Sequence, residues 1–180
     1  MRGKSKSIQK KYPEGKETIV FGLGLIPKEG MPEIKIRYNR SPKGFLGKVT
    51  NSRDTFEFLK EVFDKNTIDV QESFIVIYLN RANQILGYYK HSKGGIAGTV
   101  ADPRIIFATA VASASSGIIL SHNHPSGNLS PSPADIELTR KIKEGGKLLE
   151  VQLLDHVIIG KTTSGSFSYY SFADECMIEN

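Results

Sequence analysis

Cysteine and long apolar runs are what this sequence most clearly lacks. A single cysteine, Cys176, excludes an internal disulfide and any metal site built from several thiolates, so a metal ion here would need histidine and carboxylate ligands. The longest apolar runs, residues 74–79 and 117–120, have the length of a strand and exclude a membrane-spanning helix. No apolar stretch follows the basic N-terminal residues, so no secretory signal is expected. We therefore expect a cytoplasmic protein without membrane contact.

Excess charge of one sign is nearly absent beyond the N-terminal part of the chain. The formal net charge is +5, and residues 1–16 contain six Lys and Arg against one Glu, whereas the remainder is balanced. A basic leader is usually solvated, and contact with nucleic acid is the alternative. A second basic stretch, residues 28–48, keeps that alternative open.

Length and composition predict one globular domain with short additions. The 180 residues are 39% hydrophobic and 24% charged, which is typical of a chain with a single core. We predict a basic N-terminal leader with short strands over residues 1–48, a compact domain over residues 49–174 and a C-terminal tail over residues 175–180.

Hydrophobic periodicity predicts helices alternating with strands after an initial hairpin, which is typical of an α/β domain with a mixed sheet. Asn51 or Ser52 can cap the first helix, and Asp102-Pro103 starts the second. A third helix is expected over residues 132–145. Strands are expected over residues 17–26, 33–38, 71–80, 84–89, 94–100, 117–121, 149–159 and 167–172.

Two histidines end the buried strand at residues 117–121. Side chains alternate across a strand, so His122 and His124 point to the same face and can both reach one ion, while Asn123 points away. Pro125 cannot continue a central strand, which places the histidine pair at the strand end, where sites on α/β sheets tend to open.

The third helix begins with Ser132, Pro133, Ala134 and Asp135. This is a helix-capping sequence in its own right, so Asp135 can be explained by capping alone. The short loop of residues 125–131 can also fold this helix start back onto the histidine pair. Two imidazoles and one carboxylate would then give the three protein ligands of a catalytic zinc site, with a fourth position for water whose pKa zinc lowers to about 7.

Hydrolysis would further require a group that moves the proton of the attacking water. The candidates are Glu57, Glu61, Glu72, Glu137 and Glu144, and spacing alone does not choose among them. Glu72 differs from the others because it begins an apolar strand, where an acid is unfavourable unless paired or near a metal.

Three other polar residues are weaker candidates. His156 lies in an apolar strand, where a satisfied core histidine or a residue that supports a ligand is expected rather than a ligand. His91 is expected to be solvated in a loop. Ser132 is an N-cap whose hydroxyl could instead donate to an oxyanion.

The spacing of these residues resembles that of a known family. His122-x-His124, seven intervening residues, Ser132, two more and Asp135 match the JAMM motif of JAB/MPN proteins. The longer stretch HNHPSGNLSPSPAD, with VADPRIIFATAV before it and LLDHVIIG after it, looks like the RadC-type JAB domain over residues 52–172.

The resemblance implies a cytidine-deaminase-like three-layer α/β sandwich that binds one zinc ion through His122, His124 and Asp135. It also places the JAMM glutamate on Glu72 and assigns the Ser132 hydroxyl to holding the tetrahedral intermediate. Hydrolysis of a peptide or isopeptide bond in an unidentified protein substrate is the implied activity. Full-length RadC-like proteins carry a helix-hairpin-helix region before this domain, and residues 1–45 here show no such repeat.

Two other functions compete with hydrolysis. The family's link to DNA repair gives a protein that acts on or is bound to DNA, with an ancillary or nucleolytic metal site. The other is a scaffold in which zinc only stabilises the fold, with the fourth coordination position closed by protein.

Overall fold

The computed structural model describes residues 46–94 and 101–178, together with the backbone of residues 26–28 and 31–33. In the N-terminal part, β1 (Ile26–Lys28) pairs antiparallel with β2 (Met31–Glu33). The basic leader of residues 1–16 lies outside the described residues, as do most of the strands predicted over residues 17–26, 33–38 and 94–100.

Five further strands form one mixed sheet in the order β4-β3-β5-β6-β7. The pair β5–β6 is parallel and the other neighbours are antiparallel. This order places β5 at the centre of the sheet. The elements are α1 (Ser52–Val62), β3 (Ser73–Leu79), β4 (Ile85–Lys93), α2 (Pro103–Ala112), β5 (Gly117–Asn123), α3 (Pro133–Leu149), β6 (Gln152–Lys161) and β7 (Phe167–Ser171).

Helices cover both faces of this sheet. Alternate side chains of each strand point in opposite directions, so each strand contributes apolar side chains to both faces. On one face, Ile75 packs in a cluster with Leu59 of α1. On the other face, Val76 packs in a cluster with Ile106 of α2 and Ile142 of α3. The predicted three-layer α/β sandwich is therefore confirmed. None of the helices in the described ranges is long and apolar enough to cross a membrane.

Helix α3 is about one turn longer than predicted. The sequence predicted its end near Gly145, but the helix continues to Leu149, and β6 starts at Gln152 instead of residue 149. A Cβ atom on Gly146 would lie 2.2 Å from the carbonyl oxygen of Val151. The glycine therefore serves close packing of the helix against the following chain, not helix termination.

Candidate metal centre

The histidine pair lies at the end of β5, on the face that α2 and α3 cover. His122 is 1% exposed and its ring stacks on Phe74, with 6.0 Å between the ring centroids. His124 follows the last residue of β5, and its backbone N–H donates to the carbonyl oxygen of Ile159 in β6 at 3.0 Å. Both histidines are thus held by the central strands of the sheet.

Asn123 points to the opposite face, as strand alternation predicts, and anchors the chain that leads into β3. Its side-chain oxygen accepts a 2.7 Å hydrogen bond from the backbone N–H of Ser73. Its amide nitrogen donates to the carbonyl oxygens of Ile68, at 2.7 Å, and Gln71, at 3.0 Å. These bonds fix the position of Glu72, which lies between Gln71 and Ser73.

Asp135 caps helix α3 and faces the histidines at the same time. Its Oδ2 atom accepts hydrogen bonds of 2.7 Å from both the backbone N–H and the hydroxyl of Ser132. Its Oδ1 atom lies 3.2 Å from His122 Nε2, and its Oδ2 lies 3.7 Å from His124 Nε2. The capping and metal-binding interpretations of this residue are therefore compatible.

These three side chains form a compact donor set. Each offers one ligand atom, and the three atoms lie within 4.8 Å of one another. His122 Nε2 and His124 Nε2 are 2.9 Å apart. The structure thus brings together the three residues that the sequence predicts as metal ligands.

The protons of the His122 ring follow from a chain of hydrogen bonds that ends on a backbone carbonyl. The Asp135 carbonyl oxygen can only accept, so the Thr139 hydroxyl donates to it at 2.6 Å. That hydroxyl must accept from His156 Nδ1, 2.7 Å away, which leaves His156 Nε2 without a proton. His156 Nε2 therefore accepts from His122 Nδ1 at 2.9 Å, so a neutral His122 carries no proton on Nε2.

A second carbonyl decides the protonation of His124. Its Nδ1 atom lies 2.6 Å from the carbonyl oxygen of Asn128 and must donate to it. A neutral His124 therefore also has a bare Nε2. When both rings are neutral, two imidazole lone pairs and the carboxylate of Asp135 converge with no proton between them, and this arrangement fits a divalent cation such as zinc, although iron, cobalt and nickel accept the same ligands.

The contact between the histidines and Asp135 also shifts the pKa values of His124 and Asp135. The pKa of His124 is raised, mainly by its hydrogen bond with Asp135 and against the effect of burial. Burial by itself would raise the pKa of Asp135, but the hydrogen bonds that His122 and His124 donate when a proton is on Nε2 outweigh it and hold that pKa well below its usual range. A proton and a metal ion would therefore compete for the same lone pairs.

Glu72 is half-buried at the residue before β3, on the same side of the chain as Phe74 two positions later. Phe74 pairs with His122 in the β3–β5 register, so Glu72 approaches the level of His124. Its carboxylate contributes to the raised pKa of His124, after the larger effect of Asp135. The register thus places Glu72 on the side of the sheet that carries the donor set.

The other four glutamates lie on helix surfaces in ion pairs. Glu57 contacts Arg53 and Lys60, and Glu61 contacts Lys65. Arg140 bridges Glu137 and Glu144 on α3. These contacts account for the four glutamates as surface residues, and they leave Glu72 as the candidate.

Comparison with known families decides what kind of domain this is. The sequence model of the RadC-like JAB domain matches residues 49–177. The chain belongs to the RadC-like JAB domain family. Its mixed five-stranded sheet flanked by three helices is consistent with the JAB/MPN fold that the resemblance implied.

Relatives of this RadC-like JAB domain occur in diverse microorganisms. The UPF0758 protein of Flavobacterium johnsoniae is 43% identical over 130 residues, which are 72% of this chain and 53% of that protein. The UPF0758 protein of Enterococcus faecalis is 41% identical over 128 residues, 71% of this chain and 54% of that protein. A third, from Aquifex aeolicus, is 34% identical over 158 residues, 87% and 64% of the two chains. The chain thus spans little more than half the length of the first two relatives.

Two of the weaker histidine predictions have opposite outcomes in this RadC-like domain. His156 is fully buried and hydrogen-bonded at both ring nitrogens, as predicted for a satisfied core histidine. The prediction for His91 is wrong, because β4 extends to Lys93 and His91 is half-buried within this strand. His91 Nε2 accepts a 2.8 Å hydrogen bond from the backbone N–H of Asp102, so this ring joins β4 to the start of α2.

Thr139 and the carbonyl of Asn128 were not among the residues predicted from the sequence. Both determine which ring nitrogen of the neighbouring histidine carries a proton. Thr139 lies one helical turn after Asp135 and therefore on the same helix face, a signal present in the sequence. No sequence pattern marks the Asn128 carbonyl, because a backbone acceptor is available at every residue.

Proposed function

We propose that this chain is a zinc-dependent hydrolase of the JAMM type that cleaves a peptide or isopeptide bond. The observation that carries this proposal is the convergence of His122 Nε2, His124 Nε2 and the Asp135 carboxylate, each histidine having its Nδ1 hydrogen-bonded elsewhere. Three protein ligands are the usual number in catalytic zinc sites, whereas structural sites have four. Within the described residues, no fourth His, Cys, Asp or Glu joins the group.

Glu72 would act as the general acid–base. When bound, zinc would act as a Lewis acid that lowers the pKa of water and polarises a carbonyl. Glu72 would take a proton from the attacking water and pass it to the leaving amine. Asn123 supports this role, because its three hydrogen bonds to residues 68, 71 and 73 hold the backbone on both sides of Glu72.

Ser132 would assist the oxyanion. Its hydroxyl donates to Asp135 Oδ2 at 2.7 Å and accepts from the backbone N–H of Asp135 at 3.2 Å. To hold a developing negative charge, the hydroxyl would have to turn its proton away from Asp135. The backbone N–H of Ser132 would continue to donate to Asp135 Oδ2 in that state.

A matched pair of variants tests the role of Glu72. The protein is loaded with zinc, its metal content is measured, and turnover is followed on peptide and isopeptide substrates. Glu72→Gln removes the ionisable group and keeps the shape, so we expect turnover to fall by about 10²–10⁴-fold with zinc still bound. Glu61→Gln, at an exposed glutamate of α1, is the control and should keep full turnover. Full turnover of Glu72→Gln would disprove the assignment, and absence of zinc binding by the unaltered protein would disprove the metal site.

A separate experiment tests whether the basic N-terminal residues contact nucleic acid. The basic residues 1–16 lie outside the described residues, so this contact stays a prediction from charge alone. Cleavage and binding of duplex DNA are measured with and without residues 1–16 at roughly 50 and 200 mM salt. Binding that is unchanged by deletion and by salt would contradict contact through the leader, and DNA cleavage without peptide cleavage would favour a nuclease over the proposed hydrolase.

A further inference from the structure

The hydrogen bonds behind His122 form one directed chain that returns to the helix carrying Asp135. In order, His122 Nδ1 donates to His156 Nε2, His156 Nδ1 donates to Thr139 Oγ1, and Thr139 Oγ1 donates to the Asp135 carbonyl. The three distances are 2.9, 2.7 and 2.6 Å. The chain thus connects a side chain of β5 with the first turn of α3 through β6.

The members of this chain are enclosed. His122 is 1% exposed, His156 is 0% exposed and Thr139 is 4% exposed. Phe74 stacks on the His122 ring and Phe172 on the His156 ring, with 6.0 and 4.8 Å between centroids. Water has little access to replace a missing partner, so the loss of one member changes the protonation of the others.

We propose that Thr139 and His156 are positioning residues that hold His122 in the tautomer whose Nε2 is free to bind a metal ion. The inference rests on the metal site of the proposed function. The one fixed end is the Asp135 carbonyl, which cannot donate and therefore sets the direction of every bond in the chain. Reversal of that direction would put a proton on His122 Nε2, where it would block the metal.

Thr139→Val is the sharpest test of this chain. Valine has nearly the shape of threonine but neither accepts from nor donates to a partner, so His156 Nδ1 loses its acceptor. The proton of the His156 ring is then favoured on Nε2, which donates a hydrogen bond to His122 Nδ1. A neutral His122 must then carry its own proton on Nε2. We expect the zinc dissociation constant of Thr139→Val to rise by roughly 10–100-fold, the range typical of groups that orient a metal ligand.

Two further variants separate proton placement from packing. Thr139→Ser keeps the hydroxyl and should restore zinc affinity to nearly that of the unaltered protein. Thr163→Val, at an exposed threonine between β6 and β7, is the background control. Zinc affinity is measured by competition with a chromophoric chelator. The tautomer of His156 is measured on the metal-free protein from the ¹⁵N shifts of its ring.

The outcomes distinguish this inference from the proposed function. We expect His156 to be protonated at Nδ1 in the unaltered protein and in Thr139→Ser, and to shift towards Nε2 in Thr139→Val. This result supports the inferred direction of the hydrogen-bond chain. Equal zinc affinity and equal ¹⁵N shifts in all variants would overturn it while leaving the metal site intact. If the unaltered protein binds no zinc, the proposed function fails, and the ¹⁵N shifts still decide whether the chain has the inferred direction.

Discussion

Asp135 shows how one side chain can both stabilise the start of a helix and face a candidate metal site. A carboxylate has about four acceptor positions, and the cap uses two of them, both on Oδ2. Oδ1 is left to face His122 at 3.2 Å. Because these two bonds restrict the rotation of the carboxylate, it would be oriented before an ion arrived, and binding would require less loss of side-chain entropy.

His91 gives a pH-dependent contribution to stability. Burial lowers its pKa below the ordinary value of 6.5, and the Asp102 charge opposes this effect only in part. Its Nε2 must be unprotonated to accept from the Asp102 N–H. The unfolded chain therefore binds more protons than the folded one below pH 6.5, so this stability is present above pH 6.5 and is lost as the pH falls through the folded-state pKa.

We expect the free energy of unfolding to fall less in His91→Gln than in the unaltered protein between about pH 7.5 and about pH 5.5, the range in which histidine titrates. Glutamine can accept the same hydrogen bond and does not ionise. Denaturant titrations at both pH values measure the difference, and the other three histidines cancel because both proteins contain them. An identical pH dependence of the two proteins would refute this role of His91.

At the scale of elements, the loop between β5 and α3 has to bring Asn128 and Asp135 back to the strand end. Gly127 makes this possible, with φ of +74° in the left-handed region. A Cβ atom there would lie 2.2 Å from the carbonyl oxygen of Lys161. The loop therefore packs on the end of β6 at a distance that only glycine allows.

Gly127→Ala is expected to destabilise the fold by about 3 kcal/mol, in the upper part of the usual range for single substitutions. It should also weaken zinc binding, because displacement of the loop moves the Asn128 carbonyl away from His124 Nδ1. Urea denaturation and chelator competition measure the two effects.

Gly165→Ala is the matched control, because Gly165 has a similar φ of +79° and no atom within 4 Å of a Cβ. It should cost only about 1 kcal/mol, from backbone conformation alone, with zinc affinity unchanged. If the two glycine variants were equally stable, close packing of the loop would not explain Gly127.

At the scale of the whole molecule, the candidate site links the end of the central strand β5 with the start of helix α3. A metal ion held by β5 and α3 would bind the folded chain and not the unfolded one. Zinc at a hundred times its dissociation constant should then stabilise the protein by about 2.7 kcal/mol. For a domain of this size, that raises Tm by roughly 5–10 °C.

Thermal unfolding with zinc and with a chelator measures this stabilisation. Asp135→Asn keeps an oxygen that can cap α3 but removes the negative charge, so its Tm should change little with zinc. An equal rise in Tm for Asp135→Asn would mean that zinc binds elsewhere on the protein.

The sequence by itself determined the order of the elements and the likeness of the site to one family. Period-two and period-three-to-four patterns predicted the five strands and three helices of the domain, because each element buries one or both faces in the same core. Strand alternation was enough to place His122 and His124 on one face. The patterns along the chain failed at the ends of two elements, since α3 continues past Gly145 and Gly146 and β4 extends past His91.

Only the tertiary structure decided which polar atoms meet. Asp135 faces the histidines because the loop folds back over β6, and Thr139 contacts His156 because α3 packs on the strand parallel to β5. The direction of the proton chain depends on the Asp135 carbonyl, and a carbonyl looks the same at every residue of a sequence. Such contacts depend on distances across the sheet, which local patterns along the chain do not encode.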